Sequence, residues 1–172
     1  MSDLKVNTVK TDAITNQAGS FSIATIAMTN TPAFQARNLN AFQFSDNTDT
    51  KVTGFTEDFD TDNNFASDRF TPTTAGKYFV NITGSIQSTT NYDMYNGNIS
   101  IYKNGSRLLK TSSQGHSSSK SHRYGLSLSL VVDMNGSSDY LEMYVYLNTV
   151  TNGDARFEAD TISFGAYKLI GV

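Results

Sequence analysis

From Tyr124 to Met134 every second residue is large and apolar, and that alternation constrains the fold more than any other feature of the chain. Tyr124, Leu126, Leu128, Leu130, Val132 and Met134 share one side of an extended segment, with Gly125, Ser127 and Ser129 opposite. Successive side chains of a strand point to opposite faces, so residues 122–134 read as a strand with one face on a core and one in water. Residues 77–86 repeat the pattern, with Tyr78, Val80, Ile82 and Ile86 against Asn81, Thr83 and Ser85. Helical spacing hardly occurs.

Turn dipeptides that favour positive φ separate such segments: Asn104-Gly105, Asn135-Gly136 and Asn152-Gly153. Asn104-Gly105 predicts a tight hairpin joining 99–103 to 107–110. Further strands are expected at 33–37, 41–45, 50–55, 67–71, 94–103, 139–148 and 160–170, and a polar loop at 111–121. Only 17% of the 172 residues are charged. A Thr-, Tyr- and Phe-rich chain with few Lys and Glu favours strands. The expected fold is all-β, a two-sheet jelly-roll sandwich of about ten strands, in one head domain spanning 30–172.

Two strands are apolar on both sides. In 139–148, Leu141, Met143, Val145 and Leu147 oppose Tyr140, Tyr144 and Tyr146; in 160–170, Ile162, Phe164 and Ala166 oppose Tyr167 and Leu169. Such a strand must be covered twice. The second cover is either another copy of the chain or the chain's own loops. Tyr suits a protein interface, since its ring buries area while its hydroxyl keeps a hydrogen bond, so Tyr140, Tyr144, Tyr146 and Tyr167 are the candidate interface residues. Residues 1–29 are sparser. Leu4, Val6, Val9, Phe21 and Ile23 are spaced too thinly to build a core around a short hairpin or extended arm; the segment is expected to attach the head to something else, the alternative being that it packs back on its own jelly roll and completes a sheet edge.

Composition excludes several functions. There are no cysteines, which removes disulfides, thiolate catalysis and sulfur-ligated metals, and favours a microbial or viral source. A net charge of −3 without an Arg/Lys stripe predicts no nucleic-acid partner. The start Met1-Ser2-Asp3-Leu4-Lys5 lacks the apolar core of a secretory signal, and no apolar run is long enough for a membrane helix.

No His-Glu-x-x-His, phosphate-cradling loop or Gly-x-Ser-x-Gly elbow occurs. A set made of His122, Ser127 and Asp133 fails because alternation sends His122 to one face and the other two to the opposite one, and no enzymatic function is expected. Asp58, Asp60 and Asp62 alternate like the oxygen ligands of a calcium loop. Asn63 and Arg69 stand where the helix–loop–helix version needs Gly and Glu, which leaves a solvated acidic turn as the simpler reading and calcium as the only candidate cofactor. Asn81-Ile82-Thr83, Asn98-Ile99-Ser100 and Asn135-Gly136-Ser137 match the glycosylation pattern, but fall in strands or a tight turn.

From Pro32 onward the chain resembles the complement-type globular head of the tumour-necrosis-factor-like jelly-roll superfamily. Ala33-Phe34-x-Ala36 is similar to that family's first strand. The stretch Asp68-Arg69-Phe70-Thr71-Pro72-Thr73-Thr74-Ala75-Gly76-Lys77-Tyr78 carries its Phe-x5-Gly-x-Tyr spacing, 99–105 its following hairpin, and 163–170 its closing strand. Val80 and Ile82 stand where the family commonly has aromatics, and the closing glycine is displaced by about one position. The resemblance implies a ten-stranded jelly roll and a compact homotrimer, and names no ligand. The opening Ser2-Asp3-Leu4-Lys5-Val6-Asn7-Thr8-Val9, with Asp12-Ala13-Ile14 and Gly19, resembles the start of virion structural proteins of tailed phages. The implied function is a trimeric virion surface protein, a decoration or short fibre head, with capsid or tail proteins as partners. The alternatives are a fibre tip whose loops hold a host surface glycan and a secreted bacterial recognition domain.

Overall fold

The computed structural model describes residues 30–88, 94–115, 122–149 and 155–171, and the backbone of 14–16 and 19–21. No helix occurs among them. The strands are β1 (Ile14–Asn16), β2 (Gly19–Phe21), β3 (Ala33–Asn38), β4 (Phe42–Phe44), β5 (Thr50–Lys51), β6 (Thr56–Asp60), β7 (Phe65–Ala66), β8 (Arg69–Phe70), β9 (Gly76–Ser88), β10 (Met94–Lys103), β11 (Ser106–Gln114), β12 (Arg123–Met134), β13 (Leu141–Thr149), β14 (Ala155–Phe157) and β15 (Ile162–Lys168). β1 and β2 form an antiparallel hairpin.

The rest makes two sheets. One has six strands in the order β11-β10-β13-β8-β7, with β5 also on β13. The other has seven in the order β4-β14-β9-β15-β3-β6, with β12 along the free edge of β9. β9 and β12 pair without a break from Gly76↔Met134 to Gln87↔Arg123. That register brings the two clearest alternating segments together, and both present their apolar sides inward.

Between the sheets lies one aromatic-rich core. Phe34 stacks on Phe65 and Phe70 at 4.6 and 4.5 Å and meets the edge of Phe164 at 4.9 Å. Phe70 packs against Tyr78 at 5.7 Å, and both are fully buried. The Tyr78 hydroxyl donates to the Thr74 carbonyl at 2.7 Å, and burial pushes its pKa up to about 12. Between these two rings of the Phe-x5-Gly-x-Tyr stretch, Gly76 has φ +146°, and a Cβ there would come within 2.8 Å of the Lys168 side chain. Glycine therefore starts β9 where a side chain would be strained.

The expected hairpin at Asn104-Gly105 is present, with φ of 53° and 77° between β10 and β11. Both values suit a type I′ turn, whose twist matches the strands it joins.

Four expectations need correction. Residues 56–60, read as part of an acidic turn, form strand β6 paired with β3. The segment 50–55 enters the ladder only at Thr50–Lys51, although the Val52 amide still donates to the Met143 carbonyl at 2.9 Å. The polar run expected as a loop from 111 continues β11 as far as Gln114. β14, only three residues long, was not foreseen; it extends the edge of β9 beyond β15.

Candidate functional site

Each sheet has one face on the shared core and one directed outward, and the two outward faces carry different chemistry. On the six-stranded sheet, Leu141, Met143, Val145 and Leu147 of β13 are fully buried in the core. Alternation then turns Glu142, Tyr144, Tyr146 and Asn148 outward, with Tyr140 just before the strand.

These outward groups have partners in their own chain. The Arg69 guanidinium lies 3.8 Å from the centre of the Tyr140 ring, a cation–π arrangement. Arg69 and Lys51 each reach Glu142 Oε1 at 2.9 Å. Burial pushes the Glu142 carboxyl up, and its hydrogen bonds from Lys51 and Arg69 outweigh that, so its pKa falls below the ordinary value. Tyr144 stacks on Tyr102 at 3.9 Å, and burial raises the pKa of both phenols. The Tyr146 hydroxyl donates to Asn47 Oδ1 at 2.6 Å, and the Asn47 amide donates to the Leu147 carbonyl at 2.7 Å. The loop around Asn47 is thereby held on β13, and Tyr140, Tyr144 and Tyr146 are half-buried without a second copy.

Next to them a cleft of about 320 Å³ crosses β13, β10 and β11. The outward residues in register are Tyr146, Asn98 and Ser112 in one row, with Asn96 and Gln114 in the next. Asp49 and Arg107, 3.4 Å apart, and Lys110 complete the lining. Asn98 is 5% exposed, and its Oδ1 has no hydrogen-bond partner; one row along, neither does the buried Ser100 Oγ. Sequence reading passed over this cleft. Asn98 carried only a glycosylation signal, which its burial makes unusable, and Gln114 was assigned to a loop.

Tyr167 lies on the other sheet, so the structure does not gather the four tyrosines on one surface. Tyr167 is 40% exposed and packs beside Phe79 at 5.4 Å. Phe79 also pairs with Val131, and Tyr167 with Ala33, so Val131, Phe79, Tyr167 and Ala33 make one outward row across β12, β9, β15 and β3. Val131 is 53% exposed. The next rows are polar: Ser129, Asn81, Gly165 and Gln35, then Ser127, Thr83, Ser163 and Arg37.

The three aspartates are not convergent. Asp58 takes a forked bond from Arg37, with Nε at 2.7 Å and Nη2 at 2.6 Å, which lowers the Asp58 pKa. Asp60 Oδ2 accepts from the Phe65 amide at 2.7 Å and Oδ1 from the Asp62 amide at 3.3 Å, while Asp62 accepts from the Thr61 hydroxyl. Among the described residues no three acidic or histidine side chains are grouped as metal ligands. Ser127 and Asp133 point outward on β12, Asp133 with Lys77 at 2.7 Å; His122 is on the opposite side of the alternation. His116, Leu4, Val6, Val9 and Ile23, and the side chain of Phe21, lie outside the described residues.

No family model matches the chain, and neither does any curated protein. Solved structures do. Eiger TNF from S. frugiperda superposes with a TM-score of 0.56 at 10% identity, covering 81% of this chain and 93% of its own. Murine APRIL, solved at pH 8.0, gives 0.54 at 13% identity, covering 80% and 98%. These likenesses show a tumour-necrosis-factor-like jelly roll.

Proposed function

We propose that this chain is a non-enzymatic, homotrimeric head on the surface of a bacteriophage virion, serving as a decoration or as the head of a short fibre or spike. The observation that carries self-association is the outward row Val131, Phe79 and Tyr167. An apolar stripe beside rows rich in Ser, Thr and Asn, with exposed Phe59 at the β6 edge of the same face, is stabilised by burial against a partner. A second copy of the chain is the partner that the superfamily resemblance implies. Tyr167 belongs to this contact; Tyr140, Tyr144 and Tyr146 stabilise the fold from the other sheet, where their own chain already engages them. Residues 1–29, with Leu4, Val6, Val9, Phe21 and Ile23, are the proposed attachment to capsid or tail proteins, supported by the phage-like opening of the sequence.

Light scattering of the full chain should give three times the monomer mass, and a monomeric wild type overturns the assembly reading. Supplying the chain with and without 1–29 to particles lacking it tests the location. Incorporation only of the full chain supports attachment, and absence of either form from particles favours a secreted bacterial recognition domain. The polar cleft favours a second reading, a receptor-binding tip holding a host surface glycan.

A further inference from the structure

We propose that the cleft across β11, β10 and β13 is a saccharide-binding site. This deepens the receptor-tip reading and is independent of where the chain is carried. None of the lining side chains is aliphatic, so an apolar ligand would leave the cleft's polar groups unpaired, at a cost on the order of 1–3 kcal/mol each. The volume lies in the usual range for small-ligand sites. Basic charge does not dominate either, because Arg107 faces Asp49 and leaves Lys110 as the one lining cation without an ion pair among the described residues. A phosphate or sulfate ester would need more.

What the cleft offers is donors and acceptors in alternation. The amides of Asn96, Asn98 and Gln114 each donate and accept, and so does the Ser112 hydroxyl, while the Tyr146 hydroxyl, whose proton goes to Asn47, can still accept. Vicinal sugar hydroxyls, each both donor and acceptor, match such a surface, and Tyr146 adds the one aromatic ring of the lining.

Asn98 is the informative residue. A folded chain has no stability reason to bury an amide whose oxygen finds no partner, since an apolar side chain of that shape would serve as well or better. The amide can turn about its last torsion and present either end to a ligand.

The test is an NMR titration of the ¹⁵N-labelled full chain, following the side-chain amides of Asn96, Asn98 and Gln114. Three probes are added separately at millimolar concentration: maltohexaose as a neutral sugar, hexuronate oligomers as an acidic one, and inorganic phosphate. A saturable shift of those amides by either sugar is expected, and the one that binds identifies the class. Silence with both sugars, or a response to phosphate alone, overturns the proposal. Asn98→Leu should weaken the sugar roughly tenfold or more while leaving the melting temperature unchanged or higher. Undiminished binding in Asn98→Leu overturns the proposal. Should that variant fold poorly, exposed Gln114→Ala replaces it, with severalfold weaker binding expected and unchanged binding counting against the site. Light scattering on the same samples reports assembly separately, so failure of the site and failure of the trimer are distinguishable.

Discussion

The outward faces of the two sheets are built on the same core by the same alternation, yet on one the large tyrosines are covered by distant parts of their own chain and on the other an apolar row is left half exposed. On the six-stranded sheet, side chains and a loop from distant parts of the sequence cover the β13 tyrosines: Arg69 on Tyr140, Tyr102 on Tyr144, Asn47 on Tyr146. What stays open there is polar and concave. On the seven-stranded sheet Val131 and Tyr167 remain about half exposed, so an apolar row stays open beside the polar ones. Tyrosine by itself therefore does not mark an interface. The same residue type is covered where Arg69, Tyr102 or Asn47 reaches it and is left 40% exposed at Tyr167.

Removing the core that both faces share should have the largest effect. Phe34→Ala deletes the ring that meets Phe65, Phe70 and Phe164, and is expected to cost about 3–5 kcal/mol. Denaturant unfolding should show both faces lost in one transition; two separable transitions would mean that the sheets are less dependent on each other than their common core implies.

Next is the apolar row. Tyr167→Asp places a charge at its centre and should leave the monomer folded while dissociating the assembly, because an unpaired buried charge is not tolerated at an interface. Ser127→Asp, on the polar part of the same face, should leave the mass unchanged. If both dissociate the trimer, or neither does, the division of this face into apolar and polar parts is wrong.

The other face is probed through Glu142. Glu142→Gln should cost about 1–3 kcal/mol, below the loss for a wholly buried pair because Lys51 and Arg69 are partly exposed and rehydrate. The sign of its pH dependence follows from the depressed carboxyl pKa. Its stabilisation is complete above the ordinary glutamate value near 4.5 and is lost as pH falls through the lower folded value. Thermal melts between about pH 5 and pH 3 should show a drop that the Gln variant lacks in part. An identical acid response in the two proteins would remove Glu142 as the anchor of the tyrosine face.

The smallest effect is expected at the rim of the seven-stranded sheet, where Arg37 and Asp58 pair in solvent. Arg37→Ala should leave the melting temperature almost unchanged, because a solvated ion pair contributes little. A larger loss would mean that β6 depends on this pair as the tyrosine face depends on Glu142.

Much of the fold was legible where one physical rule acts over a short stretch. Alternation identified β9, β12 and β13, because period two is dictated by backbone geometry alone. Asn104-Gly105 identified its hairpin, because few residues accept two successive positive φ values. β6 was missed because a strand at a sheet edge with four of its five residues exposed carries no apolar side to alternate. β14 was missed because three residues are too few for a period to be read. The polar cleft was illegible for another reason: Asn96, Asn98, Gln114 and Tyr146 belong to three strands, and no local pattern states their register.

The sequence by itself thus determined the class of fold and the inward side of β9, β12, β13 and β15. These depend on backbone geometry and on apolar side chains leaving water, both properties of neighbouring residues. Only the tertiary structure decided what covers each outward side. Alternation states that Tyr144 and Tyr167 leave the core, but whether water, a loop or a guanidinium meets them depends on residues far away in the chain. Arg69 reaches Glu142 across 73 positions and Tyr146 reaches Asn47 across 99. Such contacts are set by how the sheets close on one another, and that closure is what separates a covered face from an open one.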